Sequence, residues 1–333
     1  PGDTLVLQDG IYSPVAIDST SNARNGTAAA PITLKAEHER QAWLKSDGSA
    51  SALYVNRCAY WVFEGLHASS ADLNDDNGRS VIDVYTSNHL TFHRLLVDHD
   101  NRYTNGHLLA LLYDTTFCLV EESEFYYYHR HGVSDFASGN NTFRRNYFHG
   151  RNYADLPDGR PSGIPGGDEN VEYGSHDAMW ENNIADDYSG GFSVQPEFGS
   201  ASGVNNRYYG NIMHGEYSGW YTQARGNSID VMTRDTYLEH FVAIHVSPLP
   251  AVYLRDAKNT RCVNCTIIGG ASSGVLTNNQ NGYRGDGAPT TYLTNVLAVN
   301  NGGAGFDITG QADWAIDHAN AYNNSPNYSP DDS

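Results

Sequence analysis

The most constraining feature of this chain is a motif that recurs about every 28 residues. TFHRLLVD begins at 91, LVEESEFY at 119, TFRRNYFH at 142, MWENNIAD at 179 and RYYGNIMH at 207. Weaker copies follow: VMTRDTYL at 231, CVNCTIIG at 262 and TYLTNVLA at 291. Taking Phe92, Val120, Phe143, Trp180, Tyr208, Met232, Val263 and Tyr292 as equivalent anchors gives separations of 28, 23, 37, 28, 24, 31 and 29 residues. A repeat this short cannot bury a hydrophobic face by itself. It must stack on its neighbours.

Within each unit apolar residues alternate, are β-branched or aromatic, and are bounded by Gly and Asn, the pattern of short strands. A further strand is expected to recur in GVSDF at 132, GFSVQ at 191, GWYTQ at 219, GVLTN at 274 and GFDIT at 305. These features predict an all-β chain, a single-stranded right-handed parallel β-helix of about ten or more coils with variable loops. Propeller blades of about 40 residues and four strands do not fit these units. The coil is expected over 1–322, with first coils in 1–60, a long inserted loop at 152–177 and a tail at 323–333. Asn146, Asn183, Asn211 and Asn295 sit three residues after an anchor, where Asn suits a coil corner and a hydrogen-bonded ladder.

A formal charge of -19 argues against nucleic acid as a partner, and no apolar run reaches the ~18 residues of a membrane span. The chain begins without Met, consistent with a removed leader and a secreted or cell-surface protein. Four cysteines make no disulfide framework at this length, so Cys262 and Cys265 are expected as buried thiols on a strand.

Against that acidic background, His129 to Arg151 holds four Arg, three His and one acid, Asp135. Counting six residues from each anchor gives Asp98, Tyr126, His149, Asp186, His214 and Leu238. Counting eight gives Asp100, Tyr128, Arg151, Tyr188, Glu216 and His240. Residues two apart share a strand face, so two polar columns are expected side by side on the middle coils. A basic, aromatic-lined groove on an acidic protein suits an anionic polysaccharide. Arg forks onto carboxylates and aromatic faces stack on sugar rings. Tyr128, Arg130, Asp186, Glu216, Tyr217, Trp220 and His240 are the expected substrate contacts.

The segments PGDTLVLQDGIYSPVAI, NGTAAAPITLKAE at 25–37 and YWVFEGL at 60–66 resemble the opening of secreted right-handed parallel β-helix proteins of the pectate-lyase-like superfamily. The pattern is similar to that of the polysaccharide lyases of the chondroitinase B and alginate lyase family. The resemblance covers about the first 66 residues and is specific for fold rather than activity. It implies β-elimination at a uronate, which needs a base, a carboxylate neutraliser and an acid for the leaving oxygen. Arg130-His131-Gly132 is similar to the family's Arg-His-Gly triplet, whereas the family's catalytic Lys has no counterpart. The catalytic candidates are His149 or His214 as base, Tyr188 as acid or base, and Arg151 or Arg130 as neutraliser.

Two other readings stay open. Asp186 and Glu216, on adjacent coils, could act as the carboxyl pair of a glycoside hydrolase. A non-enzymatic surface, adhesin or filament-forming coil would instead associate end to end through uncapped sheet edges. No cofactor is required by any motif. Calcium is the metal the resemblance would admit, on Asp98 and Asp100 or on Asp168 and Glu169, but no ligand spacing is specific, so these are read as solvated acids and no metal is expected.

Overall fold

The computed structural model describes residues 2–70, 79–98, 107–126, 131–149, 168–186, 190–195, 204–215, 228–232, 234–244, 249–255, 257–278, 290–308 and 313–329. Its contacts divide into two units, Pro1–Pro165 and Gly166–Ser333. In each unit the chain winds through three parallel sheets, one strand per sheet per coil, with no helix among the described residues.

In the first unit, the first sheet stacks Trp61–Glu64, Thr91–His93, Leu119–Glu121 and Thr142–Arg144. The second stacks His67–Ser70, Leu96–Asp98, Glu124–Tyr126 and Tyr147–His149. The third stacks Leu53–Asn56, Ile82–Tyr85, His107–Leu112 and His131–Phe136. The second unit repeats the scheme through to Tyr328–Ser329, which pairs with Phe306–Asp307. Coil structure thus extends into the segment 323–333 expected as a tail. This is a right-handed parallel β-helix.

Most strands of the first two sheets have three residues, so only the middle side chain points inward. These inward residues form fully buried ladders. Phe63 stacks on Phe92 with ring centroids 5.0 Å apart, and Phe125 stacks on Phe148 at 5.1 Å. In the second unit Trp180 and Tyr208 are parallel at 6.4 Å. Burying each such ring contributes roughly 1.5–3 kcal/mol.

The corner between the first and second sheets explains the sequence repeat. The residue two after the anchor is left-handed in coil after coil: Arg94, Glu122, Arg145, Asn182, Gly210, His240, Asn264 and Asn295 have φ between 52° and 66°. At Gly210, where glycine takes the left-handed bend without strain, a β-carbon would lie 2.3 Å from Asn182 Oδ1, so any side chain there would displace that amide. The next residue turns inward. There Asn146 Oδ1 accepts the Ser123 N–H at 3.0 Å, and its Nδ2 donates to the Val120 carbonyl at 3.0 Å. Asn211 Oδ1 accepts both the backbone N–H (3.0 Å) and the Nδ2 (2.9 Å) of Asn183. These are the polar groups of the bend, buried and satisfied.

Strand register corrects three anchors. Tyr208 pairs with Leu238, Leu238 with Cys262, and Cys262 with Leu293. Met232, Val263 and Tyr292 are therefore not equivalent to Trp180. Asn295 accordingly belongs to the left-handed column, not to the buried Asn ladder, and its Nδ2 donates to Asn264 Oδ1 at 2.6 Å. Cys262 and Cys265 are buried as expected, but their sulfurs are joined in a disulfide, which corrects the expected free thiols. An anchor and the residue three beyond it both face inward across the bend, which brings the two side chains together. Cys58 and Cys118 are free, and burial pushes their thiols up to about 11 and about 12.

Candidate functional site on the second sheet

Each strand of the second sheet presents its first and third side chains outward. In the first unit the third positions align as Asp98, Tyr126 and His149, and the first positions as Leu96, Glu124 and Tyr147. The six-residue column is therefore real in this unit. Its expected companions in this unit, eight residues from the anchors, lie outside the described residues. A same-face neighbour within each strand is four residues from the anchor.

That neighbour carries the geometry. Glu124 Oε1 accepts from His149 Nε2 at 3.0 Å, and Glu124 Oε2 accepts from Arg40 Nη1 at 2.7 Å. The His149 ring is stacked on Tyr126 at 5.0 Å and on Tyr147 at 4.5 Å. Imidazole and carboxylate are 28% and 27% exposed, so the pair is open to a ligand yet held on two sides. With Nε2–H donating to Glu124, the lone pair falls on Nδ1. Such an imidazole can take a proton from a substrate. Further along the same face, His67 Nε2 meets Asp98 Oδ2 at 3.1 Å, and Trp43 stacks on His67 at 4.8 Å. Asp98, one of the acids that could have offered oxygens to calcium, is thus 2% exposed and engaged by a histidine. Among the described residues no group of three or more His, Cys, Asp and Glu is arranged to hold a metal.

The basic stretch is less basic in three dimensions than in sequence. Arg144 Nε donates to Glu121 at 2.8 Å, and Arg145 donates to Glu121 and Glu122 at 2.8 Å. The hydrogen bonds from Arg145, then from His93, hold the Glu122 carboxyl below its ordinary value. The neutralising acids lie one coil earlier in the chain.

In the second unit the third positions align as Asp186, His214 and Ile244. Asp186 Oδ1 lies 2.7 Å from His214 Nδ1, and the two side chains are 41% and 40% exposed. The first positions are Ile184, Ile212 and Val242. His240 is not in this column. Its coil is anchored at Leu238 rather than Met232, so it occupies the left-handed bend, where its ring meets Tyr209 edge-on at 5.3 Å. Leu238, expected in the outward column, is fully buried for the same reason. Asp100, Tyr128, Arg130, Arg151, Tyr188, Glu216, Tyr217 and Trp220 lie outside the described residues. The residues missed were Glu124, Tyr147, Arg40, His67 and Trp43. Stepping two residues back from Tyr126 and His149, instead of two forward, would have found Glu124 and Tyr147.

No protein-family model matches the chain, and no curated protein matches it. Solved structures do resemble it. The A-module of Azotobacter vinelandii mannuronan C-5 epimerase AlgE6 aligns at 15% identity with a TM-score of 0.57, over 99% of this chain and 91% of that one. A mannuronic acid specific polysaccharide family 6 lyase from human gut microbiota aligns at 14% identity and TM-score 0.51, over 95% and 77%. The catalytic domain of a GH87 alpha-1,3-glucanase aligns at 13% identity and TM-score 0.57, over 98% and 63%. At such identities the likeness establishes the parallel β-helix and nothing finer.

Proposed function

We propose that this chain is an extracellular carbohydrate-active protein that cleaves a uronate-containing polysaccharide by β-elimination. The single observation that carries the reading is His149 hydrogen-bonded to Glu124, itself tied to Arg40, between two tyrosine rings on an outward sheet face. In the proposed reaction His149 Nδ1 takes the proton on the carbon next to the uronate carboxylate. The electron pair forms the carbon–carbon double bond as the glycosidic carbon–oxygen bond breaks. The Tyr126 hydroxyl donates a proton to the leaving oxygen. Arg130 or Arg151 neutralises the uronate carboxylate, which otherwise holds the proton to be removed too tightly. Two of the similar structures are a lyase and an epimerase named for mannuronic acid or mannuronan, which supports a uronate polymer as substrate class.

The test is ultraviolet absorbance during incubation with alginate, pectate and chondroitin sulfate, with and without calcium. A rise that His149→Ala abolishes supports the reading. A flat trace with new reducing ends would replace elimination by hydrolysis and direct attention to Asp186 and Glu216. A flat trace without depolymerisation would leave a binding coil.

A further inference from the structure

The third sheet of the first unit carries a recess that the reaction above does not use. Register aligns Ala16, Tyr54, Asp83, Ala110 and Ser134 across successive strands. Around Tyr54 and Asp83 opens a cleft of about 520 Å³, lined also by Ser51, Arg79, Tyr85 and the small Ala16. This volume falls in the range of small-molecule sites, roughly 300–1,000 Å³.

Its chemistry is unusual for this coil. Asp83 is 5% exposed, and burial raises its carboxyl above the ordinary value despite hydrogen bonds from the Ser51 hydroxyl (2.6 Å) and the Ser80 N–H (3.3 Å). The fold does not demand an acid there, because Ala16, Ala110 and Ser134 occupy the same register in other coils. A buried carboxyl that the architecture can do without is a cost carried for another purpose. Beside it the Tyr54 and Tyr85 rings lie 5.7 Å apart, tilted by 42°, and Tyr113 continues the row at 6.2 Å. Burial pushes the Tyr85 phenol up to about 12, so it remains a hydrogen-bond donor at working pH.

Aromatic faces, a carboxyl acceptor and a guanidinium around one concavity match a pyranose ring, whose axial hydrogens stack on aromatics and whose hydroxyls donate to a carboxylate. A uronate would bring its own carboxylate to Asp83 in a chain of net charge -19. We infer that the third-sheet cleft is a second carbohydrate site, separate from the His149 face, that takes a neutral pyranose residue. The inference stands on its own residues and does not require the elimination chemistry.

Isothermal titration of the whole chain with neutral hexasaccharides of β-1,4-glucan, β-1,4-mannan and α-1,3-glucan tests it, beside a mannuronate hexamer. At least one neutral probe is expected to bind. Tyr54→Ala and Arg79→Gln should weaken it about tenfold or more, and His149→Ala should change it less than about twofold. Asp83→Asn is read only beside its thermal melt, because Asp83 is buried; Tyr54 and Arg79 carry the test if that variant does not fold. No binding of any neutral probe, a preference for the mannuronate hexamer that Tyr54→Ala abolishes, or loss of binding in His149→Ala would overturn it. Failure of the elimination reading leaves a different trace, since wild type would then show no unsaturated product yet still bind the neutral probe.

Discussion

His149 and His214 are each the third residue of a second-sheet strand, one in each unit, and each meets a carboxylate of the preceding coil, but the surroundings of these two pairs differ. His149 and Glu124 are braced by Arg40 and two tyrosine rings. His214 and Asp186 are closer, at 2.7 Å, but more exposed, and their strand neighbours on that face are Ile184, Ile212 and Ile244. A short hydrogen bond alone does not make a catalytic group. Preorganisation requires that the partner of the imidazole also be held, as Glu124 is. The same scaffold therefore gives one face built for polar chemistry and one that turns aliphatic within a coil.

The comparison breaks most readily at the histidines. His149→Ala is expected to lower kcat/KM on the uronate polymer by about 10²–10⁴-fold, the usual worth of a general base. His214→Ala should cost less than about threefold on the same scale. Equal losses, read from the unsaturated-product absorbance, would erase the distinction. Glu124→Gln sharpens it. Losing the fixed tautomer and ring position should reduce kcat about ten- to hundredfold with little change in KM, whereas Asp186→Asn should leave kcat near wild type.

The corner ladders, by contrast, should behave alike in both units. Asn146→Ala strips the Ser123 N–H of its acceptor and Asn211→Ala strips that of Asn183, so each should cost about 1–3 kcal/mol in urea unfolding. A negligible cost in one unit would show that its bends are satisfied otherwise. The smallest effects belong to the aliphatic face. Ile212→Thr and Ile244→Thr, at 39% and 36% exposure, should shift stability by no more than about 0.5 kcal/mol and leave activity unchanged. A large loss of activity from either would mean that the aliphatic face takes part in function.

Much of the coil was legible in the chain. The anchors Phe92, Val120 and Phe143 are in true register in the first unit, as are Trp180 and Tyr208 in the second, and Asn146, Asn183 and Asn211 are each buried at their bends. The reading slipped where the motif weakens. Tyr292 lies one residue before the true anchor Leu293, and in a strand one residue exchanges the faces. Its ring therefore stands outside, 5.0 Å from the Arg261 guanidinium. His240 was misassigned by the same kind of error, six residues long. The candidate site was partly legible: His149 was named as a candidate base and Tyr126 fell in the same outward column, while Glu124 was passed over because same-face neighbours were sought two residues forward and not two residues back.

The sequence alone determined the winding, because alternation and the repeat leave few ways to bury Phe92, Val120, Phe143 and Trp180 except in stacked coils. It also marked the corners, where Asn, Gly and a tolerated left-handed residue recur. Only the tertiary structure decided which outward groups meet. Glu124 and His149 are 25 residues apart and Glu121 and Arg144 are 23, yet each pair sits in hydrogen-bond contact. Coil length varies from turn to turn, so the residue beneath a given side chain depends on how many the intervening loops consume. A local pattern does not carry that count, and the parallel register of the sheets does.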